Sequence, residues 1–396
     1  MRWKLIGAAL IFAVATTGAN AQEPIRIGEI NSYKAFPSAL GPYRLGWQLA
    51  VDEINASGGV LGRKIEVISR DDNGNPSDAV RVAEELVSRE GISLLVGTFA
   101  SHVALAVSDF ARQRKVLLIA AQTFSEKVVW SQGHEYAFSV RPNTQVQTAM
   151  LAAEAIKIKA KRWAVIFPDY EFGQTAAASF KKEILAKHPD ATFTDFPVPF
   201  GKADGGALVQ AVTENKPDAI FSALFASDLI RLAREVAVRK AFNDMPVFNL
   251  LAGEPEYLDS LKDDVPVGWT VTGYPWNEIK TPEHERFLAM YRARYNDYPR
   301  VGSVAGYLAF HAVAEAIKKA GAADKDKVIT AFEGLTVSSP FGRVTFRKVD
   351  HASTMGTFVG RLGRRDNAPA MVDWHYVDAT RFLPNEAEAL ALRPKR

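Results

Sequence analysis

Ser101 ends the run Gly97-Thr98-Phe99-Ala100-Ser101, and Thr123 stands in Ala120-Ala121-Gln122-Thr123-Phe124; each run directly follows a short apolar stretch. Hydroxyls and free backbone amides in such places suit a small carboxylate. A helix N-terminus adds partial positive charge there without a buried lysine or arginine. Ser101 also reads as a simple cap for the helical stretch from His102, and spacing alone leaves the two roles level. Aromatic residues recur at comparable positions: Tyr33 and Phe36 within Asn31–Gly41, Phe99, Phe124, Tyr170 and Phe172 in Pro168–Gly173, and Phe225 before Ala226-Ser227. One such ring is ordinary core. Their repetition at five strand ends suggests walls for a flat or apolar ligand. Ala252-Gly253-Glu254 supplies one acidic group at a further strand end.

Other chemistry has no residues to stand on. There is no phosphate-binding loop, no serine elbow and no histidine pair on one helix face. His284-Glu285 opens like a zinc-protease helix, but Leu288 occupies the place of the second histidine. Asp71-Asp72-Asn73-Gly74 begins like a calcium loop whose later spacing fails, so a solvated turn is expected. Neither a metal nor a cofactor is expected, and a hydrolase reading lacks a nucleophile and base pair.

Composition narrows the setting. Arg2 and Lys4 precede an apolar run from Leu5 to about Val14, and Ala19-Asn20-Ala21 precedes Gln22. That pattern reads as a cleavable export signal over residues 1–21, because a spanning helix needs roughly 20 apolar residues. Without Arg2 and Lys4 the 48 basic side chains become 46 against 45 acidic ones, a net charge of +1. That balance is no nucleic-acid footprint. The chain has no cysteine, which excludes disulfides, thiolate metal sites and a lipid anchor through an N-terminal cysteine. A freely diffusing periplasmic protein is the expectation. About 375 mature residues suffice for two cores.

The elements that must position these residues alternate between strand and helix. Strands are expected at Ile25–Ile30, Lys64–Ser69, Leu94–Gly97 and Val116–Ala121, with a loop from the first strand through Pro42 and then a helix containing Leu45, Leu49 and Ile54. A second series is expected at Trp163–Phe167, Thr192–Val198, Ala219–Phe225 and Val247–Leu251, with helices over Phe172–Lys187, Gly206–Asn215 and Asp228–Lys240. Helices opening at Pro282 and near Gly302 come next, then strands after Phe341 and a loose tail. The rhythm is that of an α/β fold with mainly parallel sheets wrapped by helices, in which ligands collect at the C-terminal strand ends.

The run Leu-Ala-Val-Asp-Glu-Ile-Asn-Ala-Ser-Gly-Gly-Val-Leu-Gly-Arg-Lys-Ile-Glu-Val from Leu49, with Asp71-Asp72 and Asn75-Pro76 ahead of Ala79-Val80, resembles the branched-chain amino-acid-binding proteins of ATP-driven importers. Val96-Gly97 with Ser101, the Tyr170-Glu171-Phe172-Gly173 turn and Pro217-Asp218-Ala219-Ile220-Phe221 extend the likeness over nearly the whole chain. It implies a two-lobed type I periplasmic binding protein: lobe 1 from residues 22–141 plus 277–341, lobe 2 from 142–276 plus 342–385, and a tail over 386–396. Three interlobe crossings are implied near Arg141-Pro142, Tyr274-Pro275-Trp276 and Phe341-Gly342. By the same resemblance Ser101 matches the serine that binds the ligand carboxylate, and Thr123 or Phe124 its partner loop. Phe172 and Phe225 (or Ala226) match ligand contacts. The acidic residue that holds the amino group in amino-acid binders falls on Ala252, with Glu254 two residues on.

A buried ammonium without a counter-charge is strongly disfavoured, so the expected ligand is a hydrophobic or aromatic carboxylate without an amine. The implied partner is a membrane permease of an ABC importer, the implied mechanism is hinge closure, and a monomer is expected. The alternatives are a branched-chain or other aliphatic amino acid with Glu254 at the amine, or a ligand-sensing module of a receptor.

Overall fold

A computed structural model describes residues 22–395; the expected export signal lies outside the described residues. Strands Ile25–Asn31 (β1), Ile65–Asp71 (β2), Leu94–Gly97 (β3), Leu117–Ala120 (β4) and Ala137–Ser139 (β5) form a wholly parallel sheet in the order β2-β1-β3-β4-β5. Every residue of β3 and β4 is buried, because helices cover both faces. Helices Pro76–Ser88 and Ser101–Arg114 enclose one core with Leu95 and Leu118, and Pro37–Ala56 with Val301–Ala320 covers the opposite face. The last two helices approach so closely that a Cβ at Gly46 would lie 2.0 Å from the Ser303 carbonyl oxygen. Glycine is required at that crossing.

The second sheet contains Arg162–Pro168 (β6), Thr192–Val198 (β7), Ala219–Ser222 (β8), Val247–Gly253 (β9) and Thr270–Gly273 (β10). A hairpin of Thr336–Ser339 (β11) and Gly342–Thr345 (β12) precedes the last strands, Thr357–Arg365 (β13) and Ala368–Val377 (β14). The sheet order is β14-β13-β10-β9-β8-β6-β7, parallel from β10 to β7 and antiparallel through β13 and β14. Pro197 sits in edge strand β7, where a missing N–H leaves no ladder bond unmade. The expected α/β class holds.

Three local expectations are corrected. The loop expected through Pro42 is already helix from Pro37, with Pro37 in the first turn. Pro42 deprives only the exposed Ser38 carbonyl of an intrahelical donor, which water can replace. Phe341-Gly342 lies within the β11–β12 hairpin, Phe341 in its turn and Gly342 opening β12 at φ +99°, and the following chain still bonds β5 through Ser139 N–H to His351 O and Ser353 N–H to Ser139 O. The chain therefore passes into the second sheet between Ser353 and Thr357. The expected tail contains a helix, Glu386–Leu392, closed by a capping box between Asn385 and Glu388.

Candidate ligand site

The C-terminal strand ends of the two sheets face each other across a cavity of about 290 Å³. The chain leaves β3 through Gly97, at φ +136° and so near β1 that a Cβ would lie 2.1 Å from the Ile30 carbonyl oxygen. This tight exit delivers Phe99 and Ser101 to the cavity. Ala100, not Ser101, is the N-cap of helix Ser101–Arg114, and no side chain caps that helix. Its first amides are therefore available to an anion.

Rings form most of the wall and cross between the lobes. Phe36 lies 4.9 Å from Phe99 and 6.0 Å from Phe200, and Phe124 lies 5.6 Å from Phe172. Phe225 packs edge-on against Phe172 at 5.5 Å and stacks on Phe200 at 5.4 Å, with Tyr170 5.3 Å from Phe200. Burial raises the Tyr170 hydroxyl pKa well above its ordinary value, so this wall carries no charge.

The other end is ionic. Arg141 donates from Nη2 to Glu254 Oε1 at 2.6 Å and from Nη1 to Gln122 Oε1 at 3.3 Å, and its guanidinium lies 4.4 Å from the Phe124 ring centroid. Both members of the ion pair are buried, with side chains 6% and 7% exposed. Burial raises the Glu254 pKa and the arginine opposes that rise. Glu256 Oε1 accepts the Gly302 N–H at 3.1 Å, while its Oε2 and Arg141 Nε are left without hydrogen-bond partners. Burial, followed by the nearby Glu254 charge, pushes the Glu256 pKa up to about 8.

Eight of the residues singled out in the sequence come together on this cavity: Phe36, Phe99, Ser101, Phe124, Tyr170, Phe172, Phe225 and Glu254. Three do not. Thr123 is fully buried and its Oγ1 accepts the Ser125 N–H at 3.4 Å, because the chain alternates and turns Gln122 and Phe124 inward instead. Tyr33 packs inside the first lobe, its hydroxyl accepting from Trp47 Nε1 at 3.0 Å and its ring covered by Arg44 at 3.7 Å. Ala252 is buried behind the wall, its N–H bonded to Asn249 Oδ1 at 2.9 Å. Arg141, Glu256 and Phe200 line the cavity without having been singled out as ligand contacts. Phe200 follows strand β7 by two residues, the same strand-end signal that marked the other rings.

Polar and aromatic contacts also bridge the lobes around the cavity. Ser125 Oγ donates to Glu171 Oε1 at 2.7 Å, Arg300 pairs with Asp259 at 2.9 Å, and Trp276 stacks on Tyr298 at 4.3 Å. The cleft is closed.

Two lobes of mainly parallel sheet, with strand ends opposed across an interlobe cavity, define the type I solute-binding architecture. A family model described as "Periplasmic binding protein" matches residues 24–367, and the chain belongs to that family. The family model and the curated relatives the chain is similar to are described as binding proteins. The chain is 23% identical to Leu/Ile/Val-binding protein homolog 8 of Brucella suis, over 99% of this chain and 98% of that protein. It is 24% identical to the leucine-, isoleucine-, valine-, threonine- and alanine-binding protein of Pseudomonas aeruginosa, over 76% of this chain and 80% of that one. Among solved structures it resembles an ABC-transporter solute-binding protein of Rhodopseudomonas palustris in complex with 3,4-dihydroxybenzoic acid. The TM-score is 0.81 at 23% identity, covering 90% of this chain and 98% of that one. Among the described residues no helix is long and apolar enough to cross a membrane.

Proposed function

We propose that this protein is the periplasmic solute-binding component of an ABC importer and captures a small hydrophobic or aromatic carboxylate. The observation that carries the reading is the pairing of Glu254 with Arg141 at 2.6 Å beneath a box of aromatic rings. The acid nearest the expected amine position is already engaged by a guanidinium, while the rest of the cavity offers rings. Burying about 150 Å² of ligand ring contributes roughly 4 kcal/mol at about 25 cal/mol per Å². The carboxylate is received by Ser101 and the uncapped amides of its helix, with the open Nε of Arg141 as a further donor. The similar Rhodopseudomonas protein, which holds 3,4-dihydroxybenzoic acid, supports this ligand class.

Capture works by closure. Phe99, Ser101 and Phe124 belong to the first lobe, and Tyr170, Phe172, Phe225 and Glu254 to the second, so one ligand rewards the approach of both. The closed form, acting as a monomer, is then read by the membrane permease.

The names of the Brucella and Pseudomonas relatives favour a second reading, a branched-chain amino acid with Glu254 or Glu256 taking the ammonium. A thermal-shift screen separates the two. A preferred ligand at about 100 times its Kd adds roughly 2.7 kcal/mol of stability. Stabilisation by benzoate or cinnamate and not by leucine or valine is expected; the opposite pattern rejects the carboxylate reading.

A further inference from the structure

Two carboxyl groups and one guanidinium share the polar end of the cavity. Arg141 is committed to Glu254 at 2.6 Å, and this leaves Glu256 with no cation of its own. The Glu256 residue is 7% exposed, and one of its oxygens is bound across the lobes by the Gly302 N–H while the other has no partner. The groups that face it are Glu254 and Tyr257 from its own segment, Arg141 from the first interlobe passage, and Tyr274 from the exit of β10. Burial holds both phenols protonated. An anionic ligand added to two ionised glutamates would set three negative charges against one positive charge in an apolar cavity, which is strongly unfavourable.

Resting on the carboxylate reading above, we infer that Glu256 is a specificity-determining residue that stays a neutral acid in the bound complex. It donates its proton to an acceptor oxygen on the ligand, so that an aromatic carboxylate is captured together with a proton whenever Glu256 starts ionised. The proton comes from solvent, and no bond within the ligand changes. Glu256 thereby favours ligands that offer an acceptor and rejects ligands that end in an ammonium group. Its pKa, raised to about 8, is in accord with this geometry.

The test is calorimetric titration of the full chain with cinnamate between pH 6 and 9, in buffers of differing ionisation enthalpy, with phenethylamine as the cationic probe. Cinnamate affinity should be level below about pH 8 and weaken by up to about tenfold per pH unit above it, with proton uptake on binding. The Glu256→Gln variant should bind cinnamate with no such pH dependence. The proton count needs only the unaltered protein, so it stands even if the variant fails to fold. Cinnamate binding that is independent of pH, without proton uptake, overturns the inference and leaves the carboxylate reading standing. Phenethylamine binding that strengthens with pH, with no cinnamate binding at any pH, overturns both.

Discussion

At one end of the cavity seven aromatic rings lie 4.9 to 6.4 Å apart and carry no charge; at the other, Arg141, Glu254 and Glu256 are buried within one small polar cluster. The aromatic end offers area, which attracts any apolar body of suitable size and discriminates weakly. The ionic end offers few contacts, but each misplaced charge there is expensive. On the proposed carboxylate reading, affinity and selectivity reside in different places, and Phe124, beneath the Arg141 guanidinium, joins them.

The largest effect should come from the ionic end. Arg141→Met strands Glu254 without its cation, and the loss of one partner of a buried pair costs about 3–5 kcal/mol of stability. Urea denaturation should show that loss, and calorimetry a carboxylate affinity reduced by more than about 100-fold. Phe225→Ala removes a ring that touches Phe172, Tyr170 and Phe200. It should cost about 2–4 kcal/mol of stability and weaken aromatic ligands while leaving their order of preference intact. A reordered preference after Phe225→Ala would erase the division between the two ends.

A smaller, pH-dependent effect isolates Glu256. Its folded pKa of about 8 lies above its ordinary value of 4.5. The unfolded chain therefore loses this proton first as pH rises. Its contribution to stability is complete below about pH 4.5, declines by up to about 1.4 kcal/mol per pH unit between there and about pH 8, and is then level. Relative to wild type, Glu256→Gln should gain stability between pH 5 and pH 7.5 in urea denaturation. An unchanged difference would mean that Glu256 is ionised in the fold. The smallest effect concerns the rim, where Asp259 accepts from Arg300 and Tyr298 across the cleft. Because the pair is partly exposed, Asp259→Asn should cost about 1 kcal/mol or less. Solution scattering should then show a slightly larger radius without ligand.

The same two ends differ in how far residue order alone reveals them. Rings such as Phe99, Phe124, Phe172 and Phe225 stand beside short apolar strands, so local pattern places them at strand ends and the fold brings the strand ends together. Arg141 and Glu254 are 113 positions apart and meet only because two sheets and an interlobe passage converge. No local period records that encounter. Thr123 shows the limit within a single loop: the segment is correctly placed, but the alternation that turns Gln122 and Phe124 inward depends on the exit geometry of β4. The elements most easily overlooked, β5 and β10, have three and four residues and rely on sheet neighbours rather than on their own pattern.

The central claim is tested most directly by calorimetric titration of the intact protein with 3-phenylpropanoate and with phenylalanine, which share ring, chain and carboxylate and differ by one ammonium group. With Glu254 held by Arg141 and Glu256 neutral, that ammonium has no counter-charge to meet. 3-Phenylpropanoate should bind at least about 100-fold more tightly. Equal affinity, or tighter binding of phenylalanine, would contradict the account.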